Sequence, residues 1–543
     1  MTLTAANIAF FGAANPTDAA DGGGRRSPDL VQNGLDNNLF PDVTADDRLL
    51  GLTRVRKLYP SLTNANRTPL LSAAAVLNNA PADANTDLML WPYAGAAVTR
   101  AQFLSVVELF NGPPRSGQFY EAVVNPTTGS SLFFLNLNLN QPTIPPDIFV
   151  GQTVAFFVSG ARVTEAKILQ MGGAGFNPGP GPGPGGRVSV QFDRFVPDIG
   201  ACQVYVGVQL LSPGVRPYGV AAVPGVTANA ATGVTVASLS GRLVPYVSGT
   251  YPTQYLGVNP GPFQGTNGRI QFLRQGDAVT LFHETATTAA TATNGGTVNV
   301  GRTNLEQLAV VGADGREIAR FMADGPTPTP TSGALTANLA AGTVTFSSVT
   351  GFSQPVTVRH RIAHRSSIAS ISGLVVTLAN ATTREFPAGS ALASHAPLGD
   401  IQARVLNVFA QQAWTRVFSD TLIGNPITAP YGGTIATTNQ GAETDRWAIV
   451  FNSGNTFQCF SEARGLIATG NTGSDFAPLN PVTGAPFFTL AAASWAASLL
   501  VGSVLRFNTE AAAPELWVTR CTVPGAGSGN SAVGVRLLGS VNA

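Results

Sequence analysis

Short runs in which apolar and polar residues alternate recur along almost the whole chain, whereas a helical spacing of three to four residues stands out only once. Alternation, β-branched residues and flanking Gly or Pro predict strands at Leu52–Tyr59, Asp87–Trp91, Gln118–Val124, Leu132–Leu139, Phe149–Val158, Arg187–Phe195, Gln203–Leu211 and Ile270–Leu281. Pro60 is expected to end the first of these. Further strands are predicted at Thr343–Ser348, Pro355–Arg361, Leu374–Leu378, Ala403–Phe409, Arg446–Phe451, Val504–Phe507 and Leu516–Arg520. QLAVVGADGREIARF reads as a hairpin turning at Asp314-Gly315. The helical exception follows Thr99 and Gln102, a capping box, with Phe103, Val106, Val107 and Phe110 on one face and a stop at Gly112. Thr44 followed by Asp46 and Asp47, then Gly51, predicts one further helical turn. The apolar stretch Phe487 to Val501 fits a buried helix or two short strands.

Between these elements the chain is punctuated. Residues 1–29 carry a short apolar run, Ile8 to Phe11, and then Gly22, Gly23 and Gly24; alone they cannot bury enough surface to order themselves, so they read as an arm laid on a neighbour. GFNPGPGPGPGG excludes helix and central strand and reads as a loop, and GPTPTPTSG as a semi-rigid linker that marks a boundary. The fold expected is mainly β and multidomain, with several antiparallel β-sandwich or barrel-like domains, an extended N-terminal arm and few short helices. The divisions expected are an arm and connector over 1–65, a first β-rich domain with one helix over 66–160, a second β domain over 161–330 and a C-terminal β domain over 331–543.

Composition sharpens this picture in one respect. Only 11% of the 543 residues are charged, while 44% are hydrophobic. So few charges leave a free surface short of solubility, which points to a surface largely covered by partners, including copies of itself. A net charge of +1 gives no electrostatic footprint for nucleic acid. Lys57 and Lys167 are the only lysines, so the cations are nearly all arginine, suited to buried or interfacial pairs. Three widely spaced cysteines, Cys202, Cys459 and Cys521, define neither a disulfide framework nor a zinc motif. No run reaches the ~18 apolar residues of a membrane helix, and the N-terminus lacks the basic start of a secretory signal, which suggests folding and assembly in a reducing cytoplasm.

Candidate chemistry is sparse. His360 and His364 lie four apart, but Arg361 stands where a metalloprotease helix needs Glu, and in a strand the two would be ~13 Å apart. Glu443 and Asp445, with Asp475, are the carboxylates that could flank a sugar cleft; Arg446 offers them a structural partner instead. Gly181, Gly183 and Gly186 give a formal GxGxxG, but prolines intervene and a strand follows, denying it the helix of a dinucleotide site. No catalytic, cofactor or metal residue is assigned, and no enzymatic activity is expected. The densest basic cluster, Arg54, Arg56 and Lys57, reads either as a charged edge strand protected from misassembly or as a contact with another subunit.

That cluster lies in VQNGLDNNLFPDVTADDRLLGLTRVRKLYPSL, which runs from an Asn-rich loop through the Phe40-Pro41 break into the basic strand. With ETDRWAIVF, GLIATGNTGSDFAPLNPVTGAPFFTL, VLRFNT and LWVTR, it resembles a family of virion structural proteins from tailed bacteriophages of Proteobacteria. The resemblance implies a tail component, at the baseplate or tail tip, built of several β domains, present in multiple copies and touching other tail proteins and the host surface. The competing readings are a receptor-binding or polysaccharide-degrading tail protein and a capsid or neck decoration protein. On the first of these three, Arg54, Arg56 and Lys57 become candidate assembly contacts.

Overall fold

The structure is a computed structural model that describes residues 3, 5–32, 37–93, 99–103, 119–124, 132–137, 153–158, 161–171, 186–192, 200–206, 216–227, 230–242, 269–288, 291–323, 334–428, 430–496, 500–523, 525–527 and 534–541. Its centre is a thirteen-stranded antiparallel sheet whose order bears little relation to chain order. From one edge it runs Gly233–Thr235, Val375–Leu378, Thr357–Ser372, Ala278–Thr288, Ser390–Ser394 and Tyr218–Val223. It continues through Thr86–Pro92, Leu516–Thr522, Leu52–Leu62 and Ile8–Asn15 to Gly23–Leu30. The sixteen-residue strand Thr357–Ser372 also holds the hairpin Gln307–Val311 and Glu317–Met322, with Gly315 at φ 80° supplying the turn.

Every one of the four expected segments donates strands to this sheet. They are interleaved, not strung end to end: Leu52–Leu62 pairs with Leu516–Thr522, more than four hundred residues away, and that strand pairs with Thr86–Pro92. Residues from both ends of the chain therefore share one core. One face buries Val55, Met89, Trp91, Phe103 and Trp517, and the other Phe40, Leu58, Leu88, Leu90, Leu516 and Val518. Each large side chain so buried contributes ~1.5–3 kcal/mol.

Two further sheets are compact. Between the neighbours Thr86–Pro92 and Tyr218–Val223 the chain makes an excursion that includes a closed six-stranded antiparallel barrel. Around it lie Gly186–Phe192, Leu132–Leu137, Phe119–Val124, Gly200–Val206, Thr153–Val158 and Ala161–Met171. Toward the C-terminus, five strands are ordered Arg404–Gln411, Val504–Glu510, Asp445–Phe451, Thr456–Ser461, Gly465–Asn471. Alternation along Asp445–Phe451 turns Trp447, Ile449 and Phe451 inward onto Phe457, Phe488 and Phe507. The indole Nε1 of Trp447 donates to Thr509 Oγ1 at 2.7 Å, which satisfies its one polar atom inside this aromatic core.

Several expectations are revised by the packing. The N-terminal segment is extended, but it lies on its own chain: Ile8–Asn15 pairs with Leu52–Leu62 and with Gly23–Leu30. Pro60 does not end its strand. Thr63 N donates to Asn7 O, which makes 7/63 a hydrogen-bonded pair and leaves Pro60, opposite Phe10, at a non-bonded position toward that neighbour. On its other side the strand Leu516–Thr522 has stopped opposite Leu58, so the missing N–H of Pro60 deprives no partner. The run expected over Ile270–Leu281 breaks at a turn with Gly276 at φ 86°, giving Arg269–Gln271 and Ala278–Thr288. Over Phe487 to Val501 the described residues form neither a long helix nor a strand pair but isolated bridges at Thr489, Leu490 and Trp495 and a short 3-10 turn, Ala492–Ser494. Both halves of the Thr99 capping box are present, Thr99 N to Gln102 Oε1 and Gln102 N to Thr99 Oγ1; the helix beyond residue 103 and the 325–333 linker lie outside the described residues.

Candidate functional site

The basic strand Leu52–Leu62 is internal to the large sheet, and its three cations point to both faces. On one face Arg54 and Arg56 converge on Asp18, which lies in the turn between the two N-terminal strands. The same carboxylate therefore bridges two guanidiniums: Arg54 through Nη1, and Arg56 through Nη1 at 2.6 Å and Nη2 at 3.2 Å. Arg54 also grips Asp47, with Nη2 at 3.2 and 3.1 Å from its two oxygens. Asp47 is placed by the helix Ala45–Leu50, where it completes a capping box with Thr44. Burial pushes the Asp18 carboxyl up, but Arg56 and Arg54 outweigh that and hold it below its ordinary value. Burial pulls Arg54 down, and Asp47 and Asp18 more than reverse it.

On the opposite face Lys57 is enclosed. Its Nζ lies 2.8 Å from Glu515 Oε2 and 5.3 Å from the ring centres of both Tyr59 and Trp517. Burial lowers the Lys57 amine and raises the Glu515 carboxyl, each partly opposed by the other's charge. Tyr59 is raised as well, by burial first, and its hydroxyl donates to the Gly24 carbonyl at 2.5 Å.

Arg54, Arg56 and Lys57 are thus brought to one strand as expected, but not to one surface and not to the outside. Arg56 is 6% exposed and Lys57 3%. Their partners Asp18, Asp47 and Glu515 belong to this chain, so the cations bind the N-terminal hairpin, the first helix and the C-terminal strand together instead of presenting charge to a neighbour. Sequence reading missed Asp18 and Glu515, which lie 36 residues before and 458 after their partners Arg54 and Lys57. It also missed Arg520, the register partner of Arg54, and the role of Phe40. That ring sits under two guanidiniums, Arg520 at 4.9 Å and Arg56 at 5.6 Å. The Phe40-Pro41 break was legible, but not what the ring would cover.

The remaining candidates lie on other strands and loops. Glu443 pairs with Arg464 and lies 3.6 Å from Arg25; Asp445 accepts from Ser461 and lies 3.6 Å from the same Arg25. Arg446 forks onto Asp420 at 2.7 and 2.8 Å and reaches Glu462 at 2.8 Å, and Asp420, hydrogen-bonded by Arg446 and Asn508, falls to about 2. Asp475 accepts from the Ala492 amide. These carboxylates are charge-paired or hydrogen-bonded within their own chain. His360 and His364 lie on one strand, as the sequence suggested; His360 is buried beneath the sheet, while His364 Nε2 is 3.0 Å from the Asn380 carbonyl. Among the described residues no group of three or more His, Cys, Asp or Glu is gathered to hold a metal ion. No helix among them is long and apolar enough to cross a membrane. Gly181 and Gly183 of the formal GxGxxG lie outside the described residues.

Comparison with protein-family models, with curated proteins and with solved structures finds no match.

Proposed function

We propose that the chain is a structural subunit of a tailed-bacteriophage virion, placed in the tail at the baseplate or tip, present in several copies and in contact with other tail proteins. The observation that carries this reading is how the few charges are spent. Arg48, Arg54, Arg56, Lys57, Arg446 and Arg464 all face carboxylates of their own chain. Large apolar side chains are meanwhile left outside: Leu49 is 71% exposed, Leu500 67% and Val501 70%. A surface of this kind favours burial against neighbours over life as a free monomer. Unpaired sheet edges allow strand addition, and closed symmetry would repeat each small contact around a ring. Assembly in the host cytoplasm and a final place in the virion follow from the same reading.

Quantitative mass spectrometry of purified virions tests it. The chain is expected in the particle at a copy number matching tail proteins, not at the hundreds of copies of a shell protein; its absence from washed particles contradicts the proposal. Incubation of the purified chain with host envelope polysaccharide separates the tail-enzyme reading: release of oligosaccharide would establish that alternative.

A further inference from the structure

Arg54 and Arg520 face each other directly across neighbouring strands, and both carry N–H groups with nothing to bond. Arg520 is only 5% exposed, yet its Nε and Nη2 have no hydrogen-bond partner, and neither does Nε of Arg54. The other nitrogens of Arg54 are engaged by Asp18 and Asp47. Among the described residues, three guanidiniums, Arg54, Arg56 and Arg520, thus share a face with two carboxylates, Asp18 and Asp47, leaving one positive charge over. The Phe40 ring lies 4.9 Å from Arg520 and stabilises its charge, but offers the N–H groups no lone-pair acceptor. Buried donors of a charged group are rarely left empty, because desolvating them without a partner is costly.

We infer that the orphaned N–H groups of Arg54 and Arg520 hold one small inorganic anion of halide size. A single negative charge balances the five-group cluster, and a monatomic acceptor can take N–H groups from two arginines at once without further donors for additional oxygens. The bound anion fastens the N-terminal hairpin and the helix Ala45–Leu50 to the strand Leu516–Thr522. The inference does not depend on the virion reading.

Thermal unfolding of the full chain in potassium chloride and in potassium gluconate at equal ionic strength tests it. The wild type is expected to melt several degrees higher in chloride, with a rise that saturates as chloride replaces gluconate, and in Arg520→Met the difference between the salts disappears. A wild type indifferent to chloride, or an undiminished chloride effect in Arg520→Met, overturns the inference. Should that variant fail to fold, bromide-soaked crystals of the wild type decide: an anomalous peak within hydrogen-bonding distance of Arg520 Nε is expected, and an empty position there overturns it.

Discussion

Lys57 and Glu515 form an ion pair of 2.8 Å in which the two partners are unequally buried, the lysine side chain being 1% exposed and the glutamate 33%. That asymmetry decides which loss hurts more. Removing the glutamate strands a buried ammonium between Tyr59 and Trp517, whereas removing the lysine leaves a carboxylate that water can reach. Glu515→Gln is expected to lower unfolding free energy by ~3 kcal/mol, and Lys57→Met by ~1 kcal/mol or less. Denaturant melts of both variants check the order; equal losses would show that the burial asymmetry is unimportant.

Among the described residues Asp18 is the one carboxylate that joins Arg54 to Arg56. Asp18→Ala leaves Arg54 with Asp47 but Arg56 without an acid, so a loss of ~3 kcal/mol is expected. Because Asp18 belongs to the turn between the two N-terminal strands, hydrogen exchange should accelerate first in Ile8–Asn15 and Gly23–Leu30. Protection lost uniformly over the chain would contradict this local role. Serine at Arg54, Arg56 and Lys57 together should likewise impair folding before any question of assembly arises.

Asn439 is fully buried and ties distant parts of the chain together. Its Nδ2 donates to Asn64 Oδ1 at 3.0 Å and to the Thr68 carbonyl at 2.8 Å, while its Oδ1 accepts from the Ala403 amide at 2.8 Å. Asn439→Ala leaves buried groups unsatisfied on both sides, and a loss of ~2–4 kcal/mol is expected from equilibrium unfolding. A loss below ~0.5 kcal/mol would mean that water replaces the side chain.

His395 gives the fold a defined acid sensitivity. Burial first, then the nearby charge of Arg365, bring its imidazole down from 6.5 to about 4, and its Nε2 lies 2.7 Å from Thr280 Oγ1. The folded pKa lies below the unfolded one, so the unfolded chain takes up the proton first as pH falls. The contribution of this ring is complete above pH 6.5 and is lost as pH falls toward about 4, by at most ~3 kcal/mol. His283 and His360 are also lowered by burial and add in the same direction. Stability measured between pH 7 and pH 4 should fall less steeply in His395→Gln than in the wild type; parallel curves would remove His395 from the account.

Local pattern made individual elements legible, and distance along the chain hid how they join. Thr343–Ser348 and the hairpin around Gly315 follow from alternation and turn chemistry alone, and Thr44 from capping chemistry. The strand Leu52–Leu62 was legible up to Pro60, but its continuation depends on where the neighbouring strand stops. Nothing in the spacing of residues 8–15 says that they will find Tyr59 and Leu62. The basic cluster was visible as three cations; that it is interior was not, because Asp18, Glu515 and Phe40 reach it only after the sheet has closed. Long-range pairing is the information that a single sequence carries least openly.

Cryo-EM of intact virions decides whether the chain has the proposed place in a phage tail. Density for this chain is expected in several symmetry-related copies at the baseplate or tail tip, with Leu500 and Val501 covered by a neighbouring subunit. Density for the chain on the capsid shell or neck, or no density for it anywhere in the particle, contradicts a place in the tail.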